Sequence, residues 1–482
     1  MPMPENKITV YNTLTRSNEP LVFPNGRNIN FFVCGQTVYD DAHLGHAKAY
    51  INYDIIVRWL RHSGYVVNYI QNITDVEDKI IKRAQERNIS PEELSKLYGQ
   101  RLMEDMEKLG VTKNINKYPK SHDYIDEMKM QIQLLFDKGY AYELDGDIYY
   151  DVAKFPDYTK LSGMKLEELE KHRIEPKPGK KHEYDFALWK AAKPGEPSWK
   201  ITLTINGASK EFSGRPGWHI EDTAITHVLF GETYDIHGGA RELIFPHHSN
   251  EIAQAEAAFG VKPFVRYWIH AGTMNVGKDK MSKSLHNFVT IRQTLEKYDP
   301  ETIRLLIART HYIKDMDYKE SLLEDAASML NFLRSSMSML YNAVETDDDD
   351  SASELQEVTA FLEKEFTEAM NDNFNTPLAL TKLQSAIEDF RKIAETNTEL
   401  NSAAKKNAVS KVVELSSIIG IFEDGKYKRA IGSEDRKLIE ERDRLRKEKK
   451  YEEADTIRNK LLDSYSLKVE DSKYGTLWYY VS

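Results

Sequence analysis

A short apolar run followed by a pair of histidines constrains the fold of this chain more than any other feature. Residues 29–33 read as a buried parallel strand that ends at Cys34, and Ala42-His43-Leu44-Gly45-His46-Ala47 follows where a helix is expected to begin, near Asp41. In an open α/β sheet, ligands bind beyond the carboxyl ends of such strands. His43 and His46 fall one turn apart, so both imidazoles face one ligand. Backbone N–H groups and the positive end of the helix dipole lie there too, which favours a triphosphate. Gly45 costs about 1 kcal/mol relative to alanine inside a helix, a cost that makes sense where an adenine approaches the backbone. Taken alone, the motif also fits a helix start that happens to carry two histidines.

A second motif narrows the choice. Lys280-Met281-Ser282-Lys283-Ser284 follows Asn275-Val276-Gly277-Lys278-Asp279, a segment that reads as a loop after a short strand. Lys280 and Lys283 on such a loop can close over phosphates and offset the charge that builds as a nucleophile attacks the α-phosphorus and pyrophosphate leaves. A solvated basic loop is the bland reading. The two motifs, in this order and far apart in sequence, resemble the signature of the class I aminoacyl-tRNA synthetases.

Composition sets the limits. A chain of 482 residues suggests roughly three domains. No apolar stretch approaches the ~20 residues of a membrane span, and the polar N-terminus has no signal-peptide core, so a cytoplasmic protein without membrane contact is expected. A net charge of -11 argues against non-specific coating of nucleic acid, although a local basic face can still bind a large RNA by shape. The lone cysteine, Cys34, excludes an internal disulfide and leaves a buried thiol, a metal ligand or a reactive group.

Along the chain, residues 65–70 read as a second strand running into Asn72-Ile73-Thr74-Asp75, a polar turn at a strand's carboxyl end that fits either a ligand site or the cap of the next helix. From Lys82 to about Lys180 helical periodicity dominates, broken by a hairpin at residues 140–152 with an Asp145-Gly146 turn. This reads as an insertion between the two halves of a nucleotide-binding sheet. The second half opens at residues 184–190 and passes a Lys- and Pro-rich loop. If a helix starts near His247, then His247 and Glu251 face the same way, one turn apart, a spacing that suits two ligands of one metal or a surface hydrogen bond. Asp222 and Cys34 could complete a set of four. From Tyr298 to about Phe422 the pattern is that of a helix bundle, with an acidic linker at residues 347–350. The last segment carries a helix on which Arg436, Lys437, Arg442, Arg444, Arg446, Lys447, Lys449 and Lys450 alternate with acids, as on a solvated, ion-paired face or a basic RNA-facing one.

Residues 32–40, 72–75, 185–190, 214–221 and 237–251, together with the lysine motif, resemble the cysteinyl-tRNA synthetases specifically. The resemblance implies an α/β fold: a Rossmann-like class I catalytic domain over residues 1–300 with an inserted domain at about 82–183. An α-helical bundle at 301–424 and a small α+β anticodon-binding unit at 425–482 would follow. It implies an ATP-dependent ligase that forms cysteinyl-adenylate and transfers cysteine to tRNA(Cys), with Mg2+ accompanying ATP. By the same resemblance one Zn2+ would be held by Cys34, Asp222, His247 and Glu251, with Thr74 and Trp218 beside the amino acid and His237 close to the metal. His43, Gly45, His46, Lys280 and Lys283 would bind ATP and act in catalysis, and Arg458 and Trp478 would contact tRNA; Trp478 equally suits a small core. A monomer is expected.

Asp222 departs from the family, which has a second cysteine there. Zinc accepts carboxylate oxygen, so the consequences are zinc held less tightly, another metal, or a metal-free pocket, and the first is favoured because three ligands remain. Gln36 for proline and His286 for glycine are smaller departures. Two other functions fit the same residues: a paralogue that transfers activated cysteine to a small amine, and a non-catalytic RNA-binding descendant.

Overall fold

The computed structural model describes residues 8–165, 177–277, 279–281, 287–348, 350–397, 399–428, 432–465, 467–472 and 475–480. The chain divides into two units, residues 1–297 with 312–318, and residues 298–311 with 319–482. Among the described residues no helix is long and apolar enough to cross a membrane.

In the first unit a hairpin of β1 (Thr9–Asn12) and β2 (Ser17–Pro20) precedes β3 (Asn28–Val33), α1 (Leu44–His62) and β4 (Val66–Gln71). The helices α2 (Asp78–Arg87), α3 (Pro91–Lys108) and α4 (Ile125–Asp137) lead to a five-stranded antiparallel sheet. Its strands are β5 (Ala141–Leu144), β6 (Asp147–Tyr150), β7 (Phe186–Ala191), β8 (Trp199–Ile205) and β9 (Ala208–Pro216), in the order β5-β6-β7-β9-β8. The chain then returns through α5 (Ile220–Phe230), β10 (Tyr234–Ala240), α6 (Ser249–Phe259) and β11 (Val265–Ala271). After these come β12 (Met274–Val276), β13 (Asp279–Lys280), α7 (Ile291–Leu295) and β14 (Met316–Asp317).

The first unit is organised around a parallel sheet in the order β11-β10-β3-β4. Parallel strands covered on both faces read as continuous apolar runs, and Phe31, Phe32 and Val33 are accordingly buried in sequence. The expected strands at 29–33 and 65–70 and the Asp145-Gly146 hairpin are present, and both turn residues have positive φ, 52° and 85°, as a tight hairpin requires. The segment at 193–216 is more ordered than a Lys- and Pro-rich loop. Ile201, Leu203 and Phe212 alternate inward along β8 and β9, and an Asn206-Gly207 turn with φ of 52° and 76° joins the two strands. The antiparallel sheet therefore draws strands from both sides of residue 183.

The second unit is a bundle of α8 (Pro300–Ala308), α9 (Glu320–Asn342), α10 (Ala352–Asn371), α11 (Thr376–Thr396) and α12 (Ser402–Ile419). The short parallel strands β15 (Glu345–Thr346) and β16 (Leu400–Asn401) pair within it. Arg334 of α9 meets Asp299, Glu301 and Asp424 together, at 3.2, 2.7 and 2.7 Å. Then come α13 (Ser433–Lys447), α14 (Tyr451–Tyr465) and an antiparallel hairpin of β17 (Leu467–Ser472) and β18 (Gly475–Tyr480). Ile439, Leu461, Leu467 and Val469 form their small core.

Candidate active site and metal centre

The head of α1 is capped by its own histidines. His43, the N-cap, accepts the Gly45 N–H on Nδ1, and His46 accepts the His43 N–H on Nδ1, each at 3.1 Å. In the neutral rings this places the proton on Nε2 of both, so each presents a donor edge. The rings lie 3.8 Å apart between centroids. A Cβ on Gly45 would stand 2.8 Å from His43 Cε1, so glycine at this position admits the His43 ring over the first turn. That is a local reason for Gly45 besides the approach of an adenine.

The backbone of Lys280 lies in the hairpin formed by two short strands. Met281 N–H donates to Met274 O at 2.8 Å, closing the hairpin of β12 and β13, and Lys280 is the last residue of β13. Lys283, with Ser282, Ser284 and His286, lies outside the described residues.

The four residues expected to hold a metal are brought together. Donor atoms of Cys34, Asp222, His247 and Glu251 all lie within 4.8 Å of one another, and all four residues are buried. Cys34 follows the end of β3. Asp222 sits in the first turn of α5, where a carboxylate suits the helix dipole. His247 and Glu251 are four residues apart across the π-turn Ile244–His248 that leads into α6. Asp222 Oδ2 lies 3.2 Å from Cys34 Sγ and 3.0 Å from His247 Nε2, which is 3.2 Å from Glu251 Oε1. Among the described residues none makes a hydrogen bond to either Glu251 oxygen, although both are buried. Burial, then the neighbouring carboxylates, pushes the Cys34 thiol and the Glu251 carboxyl well above their ordinary values. A thiol, two carboxylates and an imidazole of this kind fit a divalent cation, which would satisfy the buried Glu251 oxygens.

The surrounding shell is built from residues that spacing did not single out. His248 Nε2 and His237 Nε2 each lie 3.2 Å from Cys34 Sγ, and with Glu251 they form a second, overlapping donor set. Burial drives both imidazoles well below the ordinary histidine value, so they are neutral. Tyr234 Oη lies 2.5 Å from His237 Nδ1, while His248 Nδ1 meets His270 Nε2 at 2.7 Å. His219 Nδ1 lies 2.8 Å from His247 Nδ1, and Trp218 stacks on the His247 ring at 4.3 Å. Thr74 donates to Glu221 Oε1 at 2.6 Å, and Ser121 bonds the other oxygen of that buried carboxylate. Asn72 spans the site, accepting the Gly35 N–H and donating to Asp222 Oδ1, each at 2.6 Å. Of these, His237, Thr74 and Trp218 are the residues the family resemblance implies; for His248 the available signal in the sequence was its adjacency to His247. A cavity of about 1090 Å³ is lined by Cys34, His43, Gly45, His46, Trp218 and His247 together.

In the C-terminal unit, Arg458 is half-exposed and pairs with Asp455 at 2.9 Å. Trp478 is half-buried and packs against the core that contains Ile439 and Leu461. Along α13, Arg442 is buried and bonds Asp471 at 2.6 Å, Arg446 meets the same carboxylate at 3.0 Å, and Arg444 pairs with Glu441 at 2.6 Å. These three arginines are engaged within the unit.

Residues 21–328 match the family model described as "tRNA synthetases class I (C) catalytic domain", and residues 365–423 match a "DALR domain". The cysteine–tRNA ligase of Thermococcus onnurineus is 42% identical over 488 aligned positions, covering 98% of this chain and 99% of that protein. Those of Geobacter sulfurreducens and Pseudomonas fluorescens are each 40% identical, again covering 98% of this chain and 99% of the relative. Among solved structures, methionyl-tRNA synthetase of Mycobacterium tuberculosis in complex with methionyl-adenylate superposes with a TM-score of 0.56 at 14% identity. That alignment covers 82% of this chain and 89% of that one, a likeness of fold.

Proposed function

The chain belongs to the cysteine–tRNA ligase family of class I aminoacyl-tRNA synthetases, and on that premise we propose that it activates L-cysteine with ATP as cysteinyl-adenylate and passes the cysteinyl group to the 3′ end of tRNA(Cys). The observation that carries this reading is the shared cavity: the His43 and His46 pair and the Cys34 and His247 end of the donor cluster line one space.

In the first step the cysteine carboxylate attacks the α-phosphorus of ATP and pyrophosphate leaves. No protein nucleophile is needed. Gly45 lets the nucleotide come close to the head of α1, while His43 and His46 bind the phosphates through Nε2–H donors that their capping bonds hold in place. Lys280 and Lys283 offset the charge that develops on the phosphates, with Mg2+ accompanying ATP. In the second step a ribose hydroxyl of the tRNA terminus attacks the acyl carbon and AMP leaves.

Cys34, Asp222, His247 and Glu251 would hold one zinc ion per chain. When bound, zinc supplies a soft Lewis-acid position that prefers a thiolate to the far less acidic hydroxyl of serine. His237 and His248 flank this position as neutral rings, and Trp218, stacked on His247, forms the wall against which the amino acid packs with Thr74. The helical bundle, about residues 301–424, would approach the tRNA body, and residues 425–482 its anticodon, with Arg458 on the backbone and the exposed part of Trp478 against a base. A cytoplasmic monomer completes the proposal.

Pyrophosphate exchange run against all twenty amino acids tests the reading. Exchange that depends on cysteine, followed by cysteinylation of tRNA(Cys), is the expected result. Exchange with another amino acid would show that Asp222 has re-specified the pocket, and exchange with none would overturn the adenylation reading.

A further inference from the structure

The first two turns of α1 are tied on both sides to the chain that flanks the lysine motif. On the downstream side the ties are backbone bonds: Leu44 N–H donates to Val289 O and Ile291 N–H to Ala42 O, both at 2.9 Å, and His43 bridges Thr290. The other tie is a side chain, which reaches Gly272 upstream of the motif and Tyr312 beyond it. Lys48 Nζ donates to Gly272 O at 2.8 Å and to Tyr312 O at 3.4 Å.

Those two carbonyls belong to the junction from which the hairpin of β12 and β13 springs. Gly272 N–H donates to Tyr312 O and Thr273 N–H to Asp315 Oδ1, each at 2.8 Å, and Met274 pairs with Met316. The backbone of residues 313 and 314 packs directly against Gly272, where a Cβ would meet Lys314 O at 2.4 Å. Gly272, Thr273 and Met274 line the same cavity as His43 and His46.

Lys48 is a costly way to make such a tie. It is 0% exposed, and burial lowers its ammonium from the ordinary 10.5 to about 8. An apolar side chain of similar length would fill the space without that desolvation penalty. The charge is therefore kept for what it does at the two carbonyls.

We propose that Lys48 is a positioning residue for adenylate formation: by binding the Gly272 and Tyr312 carbonyls it fixes the hairpin that carries Lys280 relative to His43 and His46. The inference rests on the adenylation reading above. Catalysis by positioning is sensitive to small displacements, with about 1 Å of misplacement enough to cost on the order of 100-fold.

The test compares wild type, Lys48→Met and Lys48→Arg in cysteine-dependent pyrophosphate exchange, with melting temperature as the control for folding. Methionine keeps the packing and removes the donor; arginine keeps charge and donors. Lys48→Met is expected to lower kcat about 10- to 100-fold, with the KM for cysteine changed by less than about twofold and with kcat largely restored by Lys48→Arg. Should Lys48→Met fail to fold, Lys48→Gln, which keeps a donor and drops the charge, takes its place with an intermediate loss expected. An unchanged kcat in Lys48→Met, or a loss that Lys48→Arg fails to restore while melting as wild type does, overturns the proposal. Absence of exchange in the wild type overturns the adenylation reading instead, so the two failures are distinguishable.

Discussion

Asn72 donates from Nδ2 to Oδ1 of Asp222 at 2.6 Å, and the other oxygen of that carboxylate lies 3.2 Å from Cys34 Sγ. The amide thus holds one oxygen and leaves the second among the thiol and the imidazole. Asn72 also accepts the Gly35 N–H, so a single side chain sets the positions of Asp222 and of the strand end that bears Cys34. Aspartate reaches one bond further from Cβ than cysteine does, whereas zinc to oxygen, at about 2.0–2.2 Å, is shorter than zinc to sulfur, at about 2.3 Å. With the longer side chain steadied by Asn72, the substitution preserves a donor and its charge and gives up softness.

Removing Asn72 should therefore loosen the metal. Asn72→Ala is expected to lower zinc affinity about 10- to 100-fold, the usual effect of losing a partner that orients a ligand. Asp222→Cys should act in the other direction by adding a second thiolate. Zinc content after dialysis against graded chelator reads both variants independently of activity. Equal retention in Asn72→Ala and wild type would show that the amide does not orient Asp222 for metal.

Much of this arrangement was legible in the residues, and what was hidden has physical causes. The strand before Cys34 and the head of α1 follow from an apolar run and a helix start, and His247 with Glu251 follows from one-turn spacing. The meeting of Cys34 with Asp222 joins residues 188 positions apart, which no local spacing indicates; the pair was open as completing a ligand set, and the family resemblance favoured it. The strands β8 and β9 were legible in principle, because Asn206-Gly207 between alternating residues is a strong hairpin signal. The lysines and prolines around them masked it. Lys48 was illegible, since one lysine on a helix reads as solvated, and nothing local announces that a neighbouring strand end covers it.

The buried Lys48 predicts a pH dependence of stability. Its folded pKa of about 8 lies below the ordinary 10.5, because burial and Arg241 outweigh the attraction of Asp315. Below pH 8 the group is charged in both states and the full burial cost is present. Between 8 and 10.5 the folded state releases its proton first, so the unfolded state binds more protons and stability rises with pH. The gain from this group is on the order of 3 kcal/mol. Denaturant melts of wild type and Lys48→Met across pH 7 to 10.5 isolate it, and parallel curves for the two would refute the assignment.

Arg442 makes a local prediction in the C-terminal unit. It is buried on α13 and donates to Asp471 at 2.6 Å and to Thr476 Oγ1 at 3.2 Å, which anchors the hairpin of β17 and β18. Asp471 is 41% exposed, so solvent screens part of the pair. Arg442→Met should destabilise the unit by about 2 kcal/mol. Faster amide exchange in residues 467–472 and 475–480, with exchange in the parallel sheet unchanged, would report it.

The two roles assigned to His43 can be separated by substitution. Its Nδ1 caps α1 by accepting the Gly45 N–H, and its Nε2–H is the donor offered to the phosphates. Asparagine is among the best N-cap residues, so His43→Asn keeps an acceptor for the first turn while removing the Nε2 donor. Alanine removes both. His43→Asn should therefore melt within about 0.5 kcal/mol of wild type and His43→Ala about 1 kcal/mol below it. Both should lose about 10²- to 10³-fold in the kcat of pyrophosphate exchange, the usual effect of removing one donor that stabilises transition-state charge. If the capping bond alone explained this histidine, activity would follow stability and His43→Asn would exchange like wild type.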